Sequence, residues 1–282
     1  MATSLEPIRT VKAFYKGRDI KSLARAAARQ AAIQFKSLSR NPTGSNGWVR
    51  FPYYHHVFDD ERSGFETHLK YFKSIADIIG LDDALALMTG DDPIYGRYIC
   101  ITFDDGFKNW TENALPILKT FDAVAAFFVA TDYIGTDIDN DRDKLLGFYD
   151  SGDKLMEFMT WDDCRVLVDA GMIVGSHSVH HAHLADLDED AARVELLDSK
   201  QAIEDALGQP CDHFCCPFGV PGEDFDPTLH PAMALDVGYK SFLTTRRGPN
   251  GWGADAYAIR RDHMLANAPL LEVRYFLGAE GA

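Results

Sequence analysis

The chain is poor in several features that would commit it to a common class. Its 282 residues hold five cysteines, an odd number without a Cys-x-x-Cys pair, so neither a disulfide framework nor a thiolate zinc site is indicated. That usage suits a reducing compartment. No stretch approaches the roughly 20 apolar residues needed to span a bilayer, and the N-terminus lacks the uninterrupted apolar core of a secretory signal; a cytoplasmic location is expected. Internal repeats and low-complexity tracts are missing too. What is present is a 46% hydrophobic composition, enough for one large α/β domain with nothing that demands two.

Positive charge is scarce except at one end. Residues 1–50 carry ten Lys or Arg against Glu6 and Asp19, a local charge of +8 that leaves −23 for the rest of a chain whose net charge is −15. From Ile20 to Leu38 the apolar positions Ile20, Leu23, Ala24, Ala27, Ala31, Phe35 and Leu38 recur at helical spacing. Arg18, Lys21, Arg25, Arg29, Lys36 and Arg40 fall opposite them, which predicts a basic amphipathic helix. Two readings stay open. The helix docks on the acidic body or on a second copy in a homo-oligomer, or it adsorbs to the inner face of an anionic membrane near a lipid-linked substrate. Nucleic acid is not an expected partner, because the acidic body repels phosphates. The turn-rich Asn41–Gly47 then separates an extension, residues 1–46, from a domain over 47–282.

Beyond that linker, strand and helix patterns alternate. Strands are expected at 51–57, 98–103, 123–130, 172–176, 213–216, 240–244 and 257–259; helices at 65–79, 109–121, 161–170, 189–207, 227–237 and 270–277. The polar insertion 131–153 reads as a loop over one face. Such alternation implies a parallel sheet.

Two segments carry chemistry. Thr102-Phe103-Asp104-Asp105-Gly106 places adjacent carboxylates at the end of an apolar strand, where one can hold a cation while the other faces a water beside it. After the apolar Met172-Ile173-Val174 comes Gly175-Ser176-His177-Ser178-Val179-His180-His181, whose His177 and His181, at i and i+4, are expected on one side of a helical turn. One carboxylate and two imidazoles form a facial ligand set with open positions for water and substrate, and the spare carboxylate reads as a base. As a bland alternative, Asp-Asp-Gly after a strand is often only a turn.

These motifs, in this order, resemble those of the polysaccharide deacetylases, the NodB-like carbohydrate esterase family 4. The lead-in Thr160-Trp161-Asp162-Asp163 follows the same pattern, and Phe214-Cys215-Cys216-Pro217-Phe218-Gly219 stands for the third motif. The resemblance implies an irregular, incomplete (β/α) barrel with its site at the C-terminal ends of the strands. It also implies a divalent metal, zinc first with nickel or cobalt as substitutes, on Asp105, His177 and His181, and Asp104 as base. Phe218, after Pro217, would wall the pocket and turn its backbone N–H to the oxyanion. The substrate would be an N-acetylated amino sugar in a glycan, glycolipid or sugar-linked intermediate. Cys215 departs from the family by standing where many members have an Arg that steadies the base; Arg261 resembles the substitute used by a subgroup. The late Leu-x-His motif is not visible, and Tyr53-Tyr54-His55-His56 resembles that subgroup's early strand, which makes His55 the candidate acid with His263 as fallback. His56 is expected on the other side of the strand, His180 and His183 outside the ligand set, and Cys215 and Cys216 in packing roles. A relative acting on a small non-sugar amide and a silent sugar-binding domain remain as alternatives; the intact Asp104-Asp105 pair argues against the second.

Overall fold

The computed structural model describes residues 6–16, 28, 32, 33, 35–37, 42, 43, 45 and 47–278. In chain order the strands are β1 (Trp48–Arg50), β2 (Pro52–Tyr54), β3 (Asp77–Ile78), β4 (Arg97–Ile99), β5 (Ile101–Asp105), β6 (Ala125–Val129), β7 (Ile173–Ser176), β8 (His213–Cys215), β9 (Ser241–Leu243) and β10 (Asp262–His263). Seven of them form one all-parallel sheet in the order β10-β2-β5-β6-β7-β8-β9, and β1-β4-β3 form a small parallel sheet beside it. The large sheet curls into the irregular, incomplete (β/α) barrel that the resemblance implied.

Helices cover the sheet, so its central strands are buried on both faces. That is why every residue of Ile101–Asp105 and Ala125–Val129 is buried, and the second reads as a continuous apolar run. Phe103 stacks on Phe127 across the β5–β6 pair with ring centroids 4.7 Å apart. Gly175 in β7 keeps the packing tight: a Cβ there would lie 2.7 Å from the Phe128 ring and 2.9 Å from the His213 carbonyl oxygen. Barrel closure is left open between β9 and the segment leading to β10, where a single bridge joins Leu243 to Ile259.

Several sequence expectations change here. The single strand expected over 98–103 is two strands in different sheets, because Cys100 donates its N–H to the Arg50 carbonyl and the chain steps across at that residue. Likewise the strand expected over 51–57 shortens to β2, Pro52–Tyr54, with a bend at His55. The strand expected at 257–259 is only the Ile259 bridge, while β10, just beyond it, gave too short a pattern to detect. A helix at Leu81–Thr89 has no counterpart in the sequence reading, and the helix expected from Asn109 opens with a π turn at Trp110–Ala114. The insertion 131–153 contains a 3-10 turn, Thr131–Tyr133, and the short helix Arg142–Leu146.

At the N-terminal end, Thr10 caps the one-turn helix Val11–Phe14 by accepting from the Ala13 N–H at 3.2 Å, and Ile8, Val11 and Phe14 pack against the main core. This segment is therefore docked on the body. The basic helix expected over 20–38 falls largely outside the described residues; of those described there, Ile33 is buried whereas Phe35, placed on the apolar stripe, is 78% exposed. No helix among the described residues is long and apolar enough to cross a membrane.

Candidate active site

The C-terminal ends of β2, β5, β7, β8 and β10 open into one cavity of about 320 Å³. Asp104, Asp105, His55, His177, His181, Phe218 and His263 all line it. Asp104 and Asp105 are consecutive in β5, and strand alternation alone would send them to opposite faces. Asp105 instead adopts a left-handed φ of 97°, which turns its carboxylate into the same cavity as Asp104. Gly106 follows with φ 104°, and a Cβ there would meet Ile134 Cδ1 at 2.9 Å, so the turn needs glycine.

His177 and His181 do not share a helical turn as expected. The chain bends after β7, with Ser178 at φ 64° and His181 at φ 56°, and this irregular turn is what brings His181 back beside His177. Their Nε2 atoms stand 3.4 Å and 3.3 Å from Asp105 Oδ1. Concentrated left-handed strain at Asp105, Ser178 and His181 is a cost that a folded chain tolerates where a site requires it.

The donor set fits a cation. His177 Nδ1 lies 2.7 Å from the Cys215 carbonyl oxygen, an acceptor only, so Nδ1 donates there and Nε2 is left facing the Asp105 carboxylate, where a cation between the two would be held by both. Burial holds His181 below its ordinary pKa against the opposing pull of Asp105, which keeps that ring neutral. Burial would raise Asp105, but His55, His177 and His181 outweigh it and hold its carboxyl well below the usual range. Asp104, His177 and Cys215 also converge within 4.8 Å. That second set is a poor cation site, because both Asp104 oxygens face a guanidinium and burial keeps the Cys215 thiol protonated.

Arg261 reaches Asp104 across the barrel opening. Its Nη1 and Nη2 donate to Oδ1 and Oδ2 at 2.7 Å and 2.8 Å, with neither side chain appreciably exposed. The guanidinium is itself oriented by donation to the Thr244 carbonyl at 2.9 Å and to Thr102 Oγ1 at 3.3 Å, and it stacks 4.2 Å above the Tyr53 ring. Burial pushes Asp104 up, yet the ion pair with Arg261 prevails and keeps it below its ordinary value. Cys215 adds a weak S–H contact to Oδ1 at 3.6 Å.

His55 and His263 are neighbours, with ring centroids 5.2 Å apart, and both stand close to Tyr53. Burial pushes His263 down to about 3, so it is neutral near pH 7 and has no proton to give. His56, expected away from His55, instead lines the same cavity, where it packs on Phe58 and Phe107 and lies 2.8 Å from the Tyr149 hydroxyl. Phe218 sits in a tight turn at φ 59°, closed by donation from Gly219 N–H to the Pro217 carbonyl. Its ring is 4.8 Å from His181 and lies flat on His183 at 3.6 Å. His183 is fixed by Asp224 at 2.8 Å and His180 by Glu195, so neither joins the ligand set. Sequence reasoning missed Tyr53 and Thr102 as supports of Arg261, and Phe148, Tyr149, Phe14 and Tyr15 as cavity walls; only aromatic content marked them.

Fold and site together define an incomplete parallel (β/α) barrel with a carboxylate–histidine cluster at the strand ends that could hold a cation. The family model described as polysaccharide deacetylase matches residues 91–237, and the chain belongs to that family. It is 24% identical over 198 residues to YxkH of Bacillus subtilis (strain 168), a protein named for the same family; the match covers 70% of this chain and 62% of that relative. Among solved structures, IcaB from Ammonifex degensii superposes with a TM-score of 0.67 at 18% identity, covering 83% of this chain and 99% of that one. The Streptococcus pyogenes deacetylase PplD, solved in complex with acetate, gives 0.64 at 20% identity over 83% and 99%. At these identities the structural likeness concerns the fold.

Proposed function

We propose that the protein is a metal-dependent carbohydrate N-deacetylase that hydrolyses the acetamide of an amino sugar to acetate and a free amine. The observation that carries this reading is the convergence of Asp105, His177 and His181 on one point beside an Asp104 held by Arg261. Asp105, His177 and His181 would hold a divalent cation, zinc first, with nickel or cobalt compatible with the same donors. Bound there, the cation would supply Lewis-acid polarisation of the amide carbonyl and lower the pKa of a water toward ~7.

The chain's own groups do the rest. Asp104 accepts the proton of the attacking water, and Arg261 fixes both carboxylate oxygens so that the remaining lone pairs face the cavity. Phe218, in the turn that follows Pro217, forms the wall next to His181, with its N–H assigned to the developing oxyanion. His55 protonates the departing amine; His263, held neutral, is the poorer donor. The test is acetate release, sensitive to chelator, across free, nucleotide-linked and lipid-linked N-acetyl sugars. Release from none of them, by protein carrying metal, refutes the reading.

A further inference from the structure

The wall of the cavity next to His56 is built from a segment far away in sequence. Val11, Phe14 and Tyr15 line the same cavity as Asp104, Asp105, His177 and His181. The Phe14 ring lies 5.2 Å from His56, 5.5 Å from Phe58 and 5.5 Å from Tyr149, and Tyr149 in turn continues the wall through Phe148, whose ring is 4.9 Å from His181.

Polar anchors hold this strap, and they lie away from the cavity. Arg9 faces Asp59 at 3.2 Å, Glu112 at 2.9 Å and Glu157 at 3.7 Å. Its carbonyl accepts from Asp59 N–H, Ile8 N–H donates to the Leu155 carbonyl, and Val11 N–H donates to Asp60 Oδ1 at 2.9 Å. Lys154 donates to the Phe14 carbonyl at 2.9 Å and stands 4.9 Å over the Phe14 ring. Charge and hydrogen bonds therefore fasten the outer side, while an aliphatic and two aromatic side chains are presented inward.

We infer that residues 8–15 form an end wall of the substrate cleft and make the enzyme selective for small or chain-terminal N-acetyl sugars over residues inside a long polymer. This rests on the deacetylase reading. A polymer threading the site must continue in both directions from the reacting sugar, and on this side the chain would meet Phe14, packed against Phe58 and Tyr149, and Tyr15 set edge-on to Phe14. A sugar that ends there gains apolar contact with its C–H faces instead.

The test uses the full-length protein loaded with zinc and two probes, N,N′-diacetylchitobiose and a long soluble N-acetylglucosamine polymer, with kcat/KM counted per acetyl group. The wild type should favour the disaccharide. Phe14→Ala and Tyr15→Ala should narrow that preference by about tenfold, the discrimination that a single apolar contact supplies. Arg9→Ala, which alters no cavity-lining side chain and so guards against a misfolded Phe14 variant, should narrow it in the same direction by loosening the strap. Equal efficiency on both probes in the wild type, or an unchanged ratio in all three variants, overturns the end wall and leaves the deacetylase reading standing. No acetate from either probe overturns the end wall, and the deacetylase reading is then decided by the nucleotide-linked and lipid-linked sugars.

Discussion

Replacing Arg261 with Met tests how the proposed base is held. The substitution keeps much of the side-chain length but removes two charge-assisted hydrogen bonds to Asp104 and those to Thr244 and Thr102, leaving a carboxylate that is 2% exposed without its counter-charge. Breaking a buried pair from one side costs about 3–5 kcal/mol, which lowers the melting temperature by roughly 6–20 °C for a chain of this size. Asp104→Asn combined with Arg261→Met should recover part of that loss, because the unpaired charge is gone. In the wild type the depressed Asp104 contributes stability that is present above the unfolded carboxyl value, near 4, and lost as pH falls through its folded value. Without Arg261, burial prevails and the carboxyl rises, so the acid limb of kcat moves to higher pH and stability falls where it had been gained. Urea unfolding and a pH–rate profile read both effects. An Arg261→Met protein within about 1 kcal/mol of wild type, with an unmoved acid limb, refutes the tether.

Other expectations follow from the same geometry. Asp104→Asn should retain metal and lose turnover on the order of 10²-fold or more; loss of metal instead would mean that the two carboxylates have exchanged roles. His55→Ala should depress kcat far more for an amide than for an ester with a good leaving group, and equal losses on both would reduce His55 to a structural part. His56, pushed down to about 3 by burial, takes up a proton on unfolding below pH 6.5 but not in the folded state, so stability is full above 6.5 and declines on acidification through that window. His56→Phe should lessen the slope between pH 6.5 and 4 by up to about 1 kcal/mol per pH unit, measured by urea titration; an unchanged slope would place a proton on native His56.

The chemistry was legible in the sequence to the extent that it sits in contiguous motifs. Asp104, Asp105, His177 and His181 stand out because strand ends followed by Gly106 and by the Ser178 bend leave a local pattern. Geometry within those motifs was less legible: positive φ at Asp105 and His181 overrode both the strand alternation and the helical spacing used to orient them. Arg261 came only through family resemblance, since its contact with Asp104 spans 157 positions and depends on the open barrel edge, which no local periodicity encodes. Short strands were misjudged for a related reason. Two-residue β10 and three-residue β4 are stabilised by pairing with β2 and with β1 and β3, not by their own composition. The strap was missed because its aromatic residues lie in a basic segment, where charge dominated the pattern and concealed the docking side.

Metal reconstitution tests the central claim most directly. Protein stripped by chelator and refilled with zinc should bind it stoichiometrically and regain acetate release from N,N′-diacetylchitobiose, while the His181→Ala variant should do neither. Full turnover by the stripped protein, or by His181→Ala with no metal bound, would contradict a cation held by Asp105, His177 and His181.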